Sequence, residues 1–201
     1  MLSVDAPSWQ LSHQLQTPRY GFGMAIDSSD RVYVAGGTNG DAVLLGSVEV
    51  LDPSDESTGW ANASSLMAPR GWGPAMCVLN DFLYVAGGFD FSAYNVLSSV
   101  ESLSTSAAYD GAWGAVSDMQ ESRAQFACAV LNGEKLFVAG GVYCDDNRAY
   151  CEMSPSSPTP YQLFYGNRKS VEVYDDTLDE WTLLSSTMTV DRSFFGQSRF
   201  I

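Results

Sequence analysis

Basic residues are scarce in this chain: its 201 residues hold 10 Lys plus Arg against 24 Asp plus Glu, a formal net charge of −14. Nucleic-acid affinity rests on Lys and Arg neutralising phosphates, so neither nucleic acid nor an anionic membrane is an expected partner. The simplest reading of the acidity is a solvated surface, with basic or mixed protein partners left open. Histidine is scarcer still, His13 alone. A Ser-His-Asp or Cys-His constellation would have to use it, and no Gly-x-Ser-x-Gly nucleophile motif accompanies it. Carboxylates abound, but Asp52, Asp55, Glu56, Asp175, Asp176 and Asp179 stand in turn-like stretches, where turn formation and solvation explain them. These residues predict no enzyme activity, no cofactor and no metal.

No run of 18 apolar residues is present, so no membrane-spanning helix is predicted. The N-terminal MLSVDAPSWQ has neither a basic region nor a continuous apolar core, which argues against a secretory signal. The chain therefore reads as cytoplasmic, or as extracellular if an upstream signal is missing. Cysteine is limited to four. Cys77 and Cys128 lie in apolar runs and read as small buried hydrophobes. Cys144 and Cys151 bracket the polar CDDNRAYC, a pair that would close a local disulfide loop in an extracellular protein. A single N-x-S triplet, Asn62-Ala63-Ser64, has meaning only outside the cytosol.

What the chain does have is a repeat. The tetrad VAGG ends the runs RVYVAGG, FLYVAGG and KLFVAGG, placing double glycines at Gly36 and Gly37, Gly87 and Gly88, and Gly140 and Gly141. In each unit an arginine stands 17 residues before the first of these glycines: Arg19, Arg70 and Arg123. After the glycines comes Ser-Val-Glu, ending at Glu49, Glu101 and Glu172, and then a tryptophan, Trp60, Trp113 and Trp181. Within each unit, polar turns separate strand-length apolar runs rich in β-branched and aromatic residues, and no segment keeps a 3.6-residue period. Four short strands per unit are predicted, and a period of about 50 residues suits a propeller. Glycines that lead into a helix could cradle phosphate, but these end a strand, so they mark a bend where no Cβ is tolerated. Each Trp, with Tyr33, Tyr84 or Phe137, is expected between neighbouring units. The repeated Arg and Glu are expected to pair within a unit.

Arg, then aromatic-Val-Ala-Gly-Gly, then Ser-Val-Glu-Val-Tyr-Asp, then Trp resembles the kelch repeat. The third unit, SVEVYDDTLDEWTLLSSTMTVDR, matches it most fully. Unit two departs from it with SVESLSTSAAYDGAW, which predicts an irregular outer turn there. The resemblance covers residues 9–201 and implies an all-β, kelch-type β-propeller, partial in this chain. Three complete four-stranded blades are expected at about 19–69, 70–122 and 123–191, with part-blades at 9–18 and 192–201 and a long insertion at 142–168. A ring needs four to eight blades, so the sequence reads as a piece of a longer propeller, or as a chain whose unpaired blade edges are open to self-association.

For function, the resemblance implies a protein-interaction scaffold, such as the substrate-recognition segment of a ubiquitin-ligase adaptor. The alternative is the propeller module of a carbohydrate-active or oxidising enzyme with its catalytic residues elsewhere; one histidine is too few for kelch-like copper oxidases, and sialidase-type Asp boxes are absent. In kelch domains of ligase adaptors, contacts come from residues just after the repeat arginine and from the loops after the double glycine. By position these are Tyr20, Gly21, Gly71, Trp72, Ala124, Gln125, Ser193 and Phe194, with Asn39, Asp90, Phe91 and Tyr143 on the loops. None of the residues after the arginine is charged, which favours a protein or peptide partner with an aromatic or apolar anchor, and Trp72 stands out.

Overall fold

A computed structural model describes residues 13–41, 43–55, 57, 59–93, 95–144 and 166–193. Strands β1 (Gly23–Ile26), β2 (Val32–Ala35), β3 (Val48–Leu51) and β4 (Trp60–Ala63) form one antiparallel sheet in sequence order. The second sheet is built from β5 (Ala75–Leu79), β6 (Phe82–Ala86), β9 (Val100–Ser104) and β10 (Gly114–Val116). Between its second and third members lies a short hairpin, β7 (Phe89–Asp90) with β8 (Asn95–Val96). The third sheet, β11 (Ala127–Leu131), β12 (Lys135–Ala139), β15 (Val171–Asp175) and β16 (Glu180–Leu183), carries the equivalent hairpin β13 (Val142–Tyr143) with β14 (Gly166–Asn167).

Local chemistry explains the hairpins. Asn80 and Asp81 join β5 to β6 with both residues at positive φ, the backbone that two-residue hairpin turns require and that Asn and Asp tolerate. At the β1–β2 turn, the Asp27 carboxylate accepts hydrogen bonds from the backbone N–H groups of Ser29 and Arg31. The outer turn of the second sheet departs from its counterparts as the sequence predicts: a 3-10 turn, Thr105–Ala107, follows β9.

The first strands of neighbouring sheets, β1 with β5 and β5 with β11, lie against each other, and two apolar clusters fill the spaces between sheets. Tyr33, Val48, Val50, Met76, Leu83, Val85 and Trp113 pack between the first and second. Tyr84, Val100, Leu136, Val138, Tyr174 and Trp181 pack between the second and third. Two positions differ from expectation. Trp60 is only half-buried, with its indole N–H donating to the His13 carbonyl, and Phe137 is half-buried outside both clusters. Both sit where a neighbouring sheet would be needed to complete the pattern. The arrangement is all-β and consistent with a propeller-like fold; the described residues do not close a ring.

The reading of Cys77 and Cys128 as unpaired hydrophobes is overturned. They form a disulfide between β5 and β11, with Cα atoms 6.4 Å apart and a sequence separation of 51. The two cysteines face each other because first strands of adjacent sheets are neighbours in space, which neither apolar run reveals alone. Closing a loop of that length removes unfolded-state entropy worth about 4 kcal/mol. Cys144 is also disulfide-bonded; Cys151, its expected partner, lies outside the described residues, as do most of the 142–168 insertion, residues 9–12 of the first part-blade and residues 194–201 of the second. No helix among the described residues is long and apolar enough to cross a membrane.

Candidate functional site

The repeated residues form a latch that positions everything at one end of the sheets. Arg19, Arg70 and Arg123 each reach the third strand of their own sheet, pairing with Glu49 at 2.6 Å, Glu101 at 2.5 Å and Glu172 at 2.9 Å. These side chains are essentially fully buried. The second guanidinium nitrogen donates to the carbonyl of the first repeat glycine, Gly36, Gly87 or Gly140, and to that of Ser47, Ser99 or Ser170. The carboxylates accept backbone N–H groups in return, from Gln16 and Thr17 on Glu49, Met67 on Glu101, and Gln120 and Glu121 on Glu172. A planar guanidinium with several fixed donors can serve all these acceptors at once, which an ammonium cannot.

The second glycine of each pair links one unit to the next. Gly37 N–H donates to the Arg70 carbonyl at 2.9 Å, Gly88 to Arg123 at 2.9 Å, and Gly141 to Arg192 at 2.7 Å. Approach this close leaves no room for a side chain: a Cβ on Gly36 would stand 2.5 Å from the Arg70 carbonyl oxygen, and one on Gly37 2.8 Å from that of Tyr20. The sequence's bend-forming reading of these glycines thus acquires its physical cause.

Beyond the latch, the chain builds a rim. Residues one past the arginines pair with residues one past the glycines: Tyr20 with Thr38, Gly71 with Phe89, and Ala124 with Val142. The turns after the arginines touch side by side, Gly73 N–H donating to the Gly21 carbonyl and Gln125 N–H to that of Gly73. Gly21, Trp72 and Gln125, two past each arginine, all have positive φ, of 58°, 50° and 54°.

On this rim Trp72 packs against Phe89 and Phe91, with ring centroids 5.6 and 5.4 Å away, and Phe89 meets Phe91 edge-on at 5.0 Å. Val96, Ala124, Val142 and Cys144 complete the cluster. Asp90 accepts bonds from Ser92 and Ala93, which hold its carboxyl below the usual aspartate range, the Ser92 hydroxyl contributing most. Asn39 accepts N–H bonds from Asp41 and Val43, closing its own loop. Tyr20 is 48% exposed. Tyr143 lies beneath the Arg168 guanidinium, 4.2 Å from its ring centroid, and Arg168 also pairs with Glu121. Phe194 lies outside the described residues. Two buried oxygens on this end, Thr38 Oγ1 and Gln125 Oε1, have no hydrogen-bond partner among the described residues.

The structure therefore brings Trp72 and Phe91 into one cluster, places Gln125 on the adjoining turn, and sets Tyr20 and Asn39 on the first unit and Tyr143 on the third. Phe89 and Thr38 were missed in the sequence. The residue immediately after each double glycine shares the repeat spacing, and applying that spacing would have found both. Among the described residues no three His, Cys, Asp or Glu side chains converge as a metal would require.

No family model and no curated protein matches the chain. In structure it is similar to the solved structure of YjhT, with a TM-score of 0.71 and 19% identity over 90% of this chain. The match covers 56% of the YjhT chain, so this chain spans little more than half of that protein's length. At this identity the likeness speaks to the fold alone.

Proposed function

We propose that the three sheets are successive blades of a kelch-type β-propeller and that the chain is a protein-interaction scaffold which binds a protein or peptide partner at the rim. The observation that carries this reading is Trp72: a bulky side chain held at φ 50° over Phe89 and Phe91. A non-glycine residue in the left-handed region costs about 1–2 kcal/mol, and such strain gathers at binding sites. Aromatic residues are also enriched in interface cores. The partner's chemistry follows from the surroundings. The rim offers an apolar aromatic anchor site in a strongly acidic chain. A peptide with an aromatic or apolar anchor fits, and an acidic one does not.

The test is peptide-library selection on the whole chain, followed by affinity measurement with Trp72→Gly. Glycine accepts φ 50° without strain, which offsets part of the packing lost on Phe89 and Phe91, so the chain should stay folded while the selected peptides lose at least tenfold in affinity. Peptides that bind both forms equally, or a library that yields none, would overturn the rim as the binding surface.

A further inference from the structure

Asn62 lies on β4, the outermost strand of the first sheet, where it pairs in register with Glu49 on one side only. It is exposed, and no described hydrogen bond takes up its amide. Two other asparagines are committed: Asn39 closes its loop, and Asn80 Nδ2 donates to Asp176. Asn62 also begins the chain's one N-x-S triplet, Asn62-Ala63-Ser64. Alone, such a triplet says little. The second observation is independent of it: Cys77 and Cys128 are joined across two sheets, Cys144 is disulfide-bonded, and no described cysteine is free. Reducing compartments keep thiols unpaired, whereas oxidising ones form and preserve disulfides. This runs against the cytoplasmic expectation drawn from the N-terminal residues.

We infer that the chain matures in an oxidising secretory compartment and that Asn62 carries an N-linked glycan there. Two reactions are involved. The Cys77 and Cys128 thiols give up two protons and two electrons to the disulfide of a thiol oxidase, which leaves as a dithiol. Asn62 Nδ2 forms a bond to the anomeric carbon of a lipid-diphosphate-linked oligosaccharide, losing its proton as the lipid diphosphate departs. The position suits a bulky, hydrated group, because an outermost strand presents unpaired backbone groups that invite pairing with another chain, and a glycan covers them. The rim is left clear, since β4 is the strand of its sheet most remote from β1, which follows directly on the Tyr20 turn.

The full chain, preceded by a secretion leader, is expressed in a glycosylating eukaryotic host. It is scored on total microsomal and secreted material, so that a retained chain still counts. The expected result is a mobility shift on peptide-N-glycosidase treatment and conversion of residue 62 to aspartate in the peptide mass. Asn62→Gln and Ser64→Ala should abolish the shift, and Asn80→Gln should keep it. Ser64→Ala retains the backbone bonds of Ser64, which accepts the Trp113 indole N–H and donates to the Ala108 carbonyl, so the fold is preserved. Alkylation before reduction should leave Cys77 and Cys128 unlabelled. A disulfide-bonded chain with unmodified Asn62 overturns the glycan; free thiols at 77 and 128 overturn the compartment.

Discussion

Replacing Arg70 with alanine tests the buried latch in the middle unit, which has a neighbouring sheet on each side. Arg70 is 1% exposed and Glu101 3%. The substitution strands the Glu101 carboxylate, which keeps only the Met67 N–H described as a donor, and it strips the Gly87 and Ser99 carbonyls of a shared donor. Removing one partner of a buried pair costs about 3–5 kcal/mol. For a chain of this size each kcal/mol lowers the thermal midpoint by about 2–4 °C, so a drop of about 6–20 °C is expected. Thermal unfolding followed by tryptophan fluorescence measures it. Lys135→Met breaks the partly exposed Lys135–Asp175 pair and should leave the midpoint nearly unchanged. Arg70→Lys keeps the charge without the planar fork and should fall between the native chain and Arg70→Ala. In the double variant Arg70→Met with Glu101→Leu, apolar atoms replace both ions, and part of the loss should return if the cost is a stranded charge. An Arg70→Ala midpoint matching that of Lys135→Met would refute the reasoning.

Two further outcomes follow from the same geometry. Gly36→Ala combines φ 67° with a Cβ 2.5 Å from the Arg70 carbonyl, whereas Gly133→Ala, at φ 71°, meets nothing within 4 Å. Gly133→Ala should cost about 1–2 kcal/mol from handedness alone and Gly36→Ala clearly more; equal midpoints would mean that the close approach between units is not tight. The Asp175 carboxyl is held down to about 2 by the Lys135 ammonium and the Thr177 hydroxyl. A depressed carboxylate stabilises the fold at pH values above its unfolded-state pKa and loses that contribution as pH falls towards 2. Lys135→Met should move the Asp175 titration, read by carboxyl carbon NMR, up towards the ordinary aspartate range, and an unmoved titration would show that lysine plays no part.

Spacing carried the scaffold, because the latch is made of residues whose identities are dictated by contacts common to every unit. Arg19, Arg70 and Arg123 must reach a carbonyl 17 residues on, so their interval cannot drift. The hairpins were legible for a similar reason: Asn80 and Asp81 supply locally the backbone their turn needs. Contacts between units were harder to read. The Cys77–Cys128 bond depends on two first strands meeting across a gap between sheets, and nothing in either heptapeptide around those cysteines encodes that meeting. Phe89 was overlooked because it follows the glycines directly and looks like the end of a strand; only its bridge to Gly71 turns it under Trp72.

The rim and the latch obey different rules, and the contrast bears on function. Two residues past each arginine the repeat demands a left-handed backbone, and unit one meets that demand with Gly21, at no cost in strain. Trp72 and Gln125 occupy the same backbone with side chains that glycine shows to be unnecessary for the turn. A glycine at 72 would meet the backbone demand without strain while the Arg70–Glu101 pair held the turn in place, so the turn itself does not call for a tryptophan. The packing of Trp72 on Phe89 and Phe91 returns some of that energy, yet both of these rings also meet each other without it. What the tryptophan adds beyond the scaffold is an aromatic side chain at the end of the sheets where the loops gather, and that is the property a partner can use.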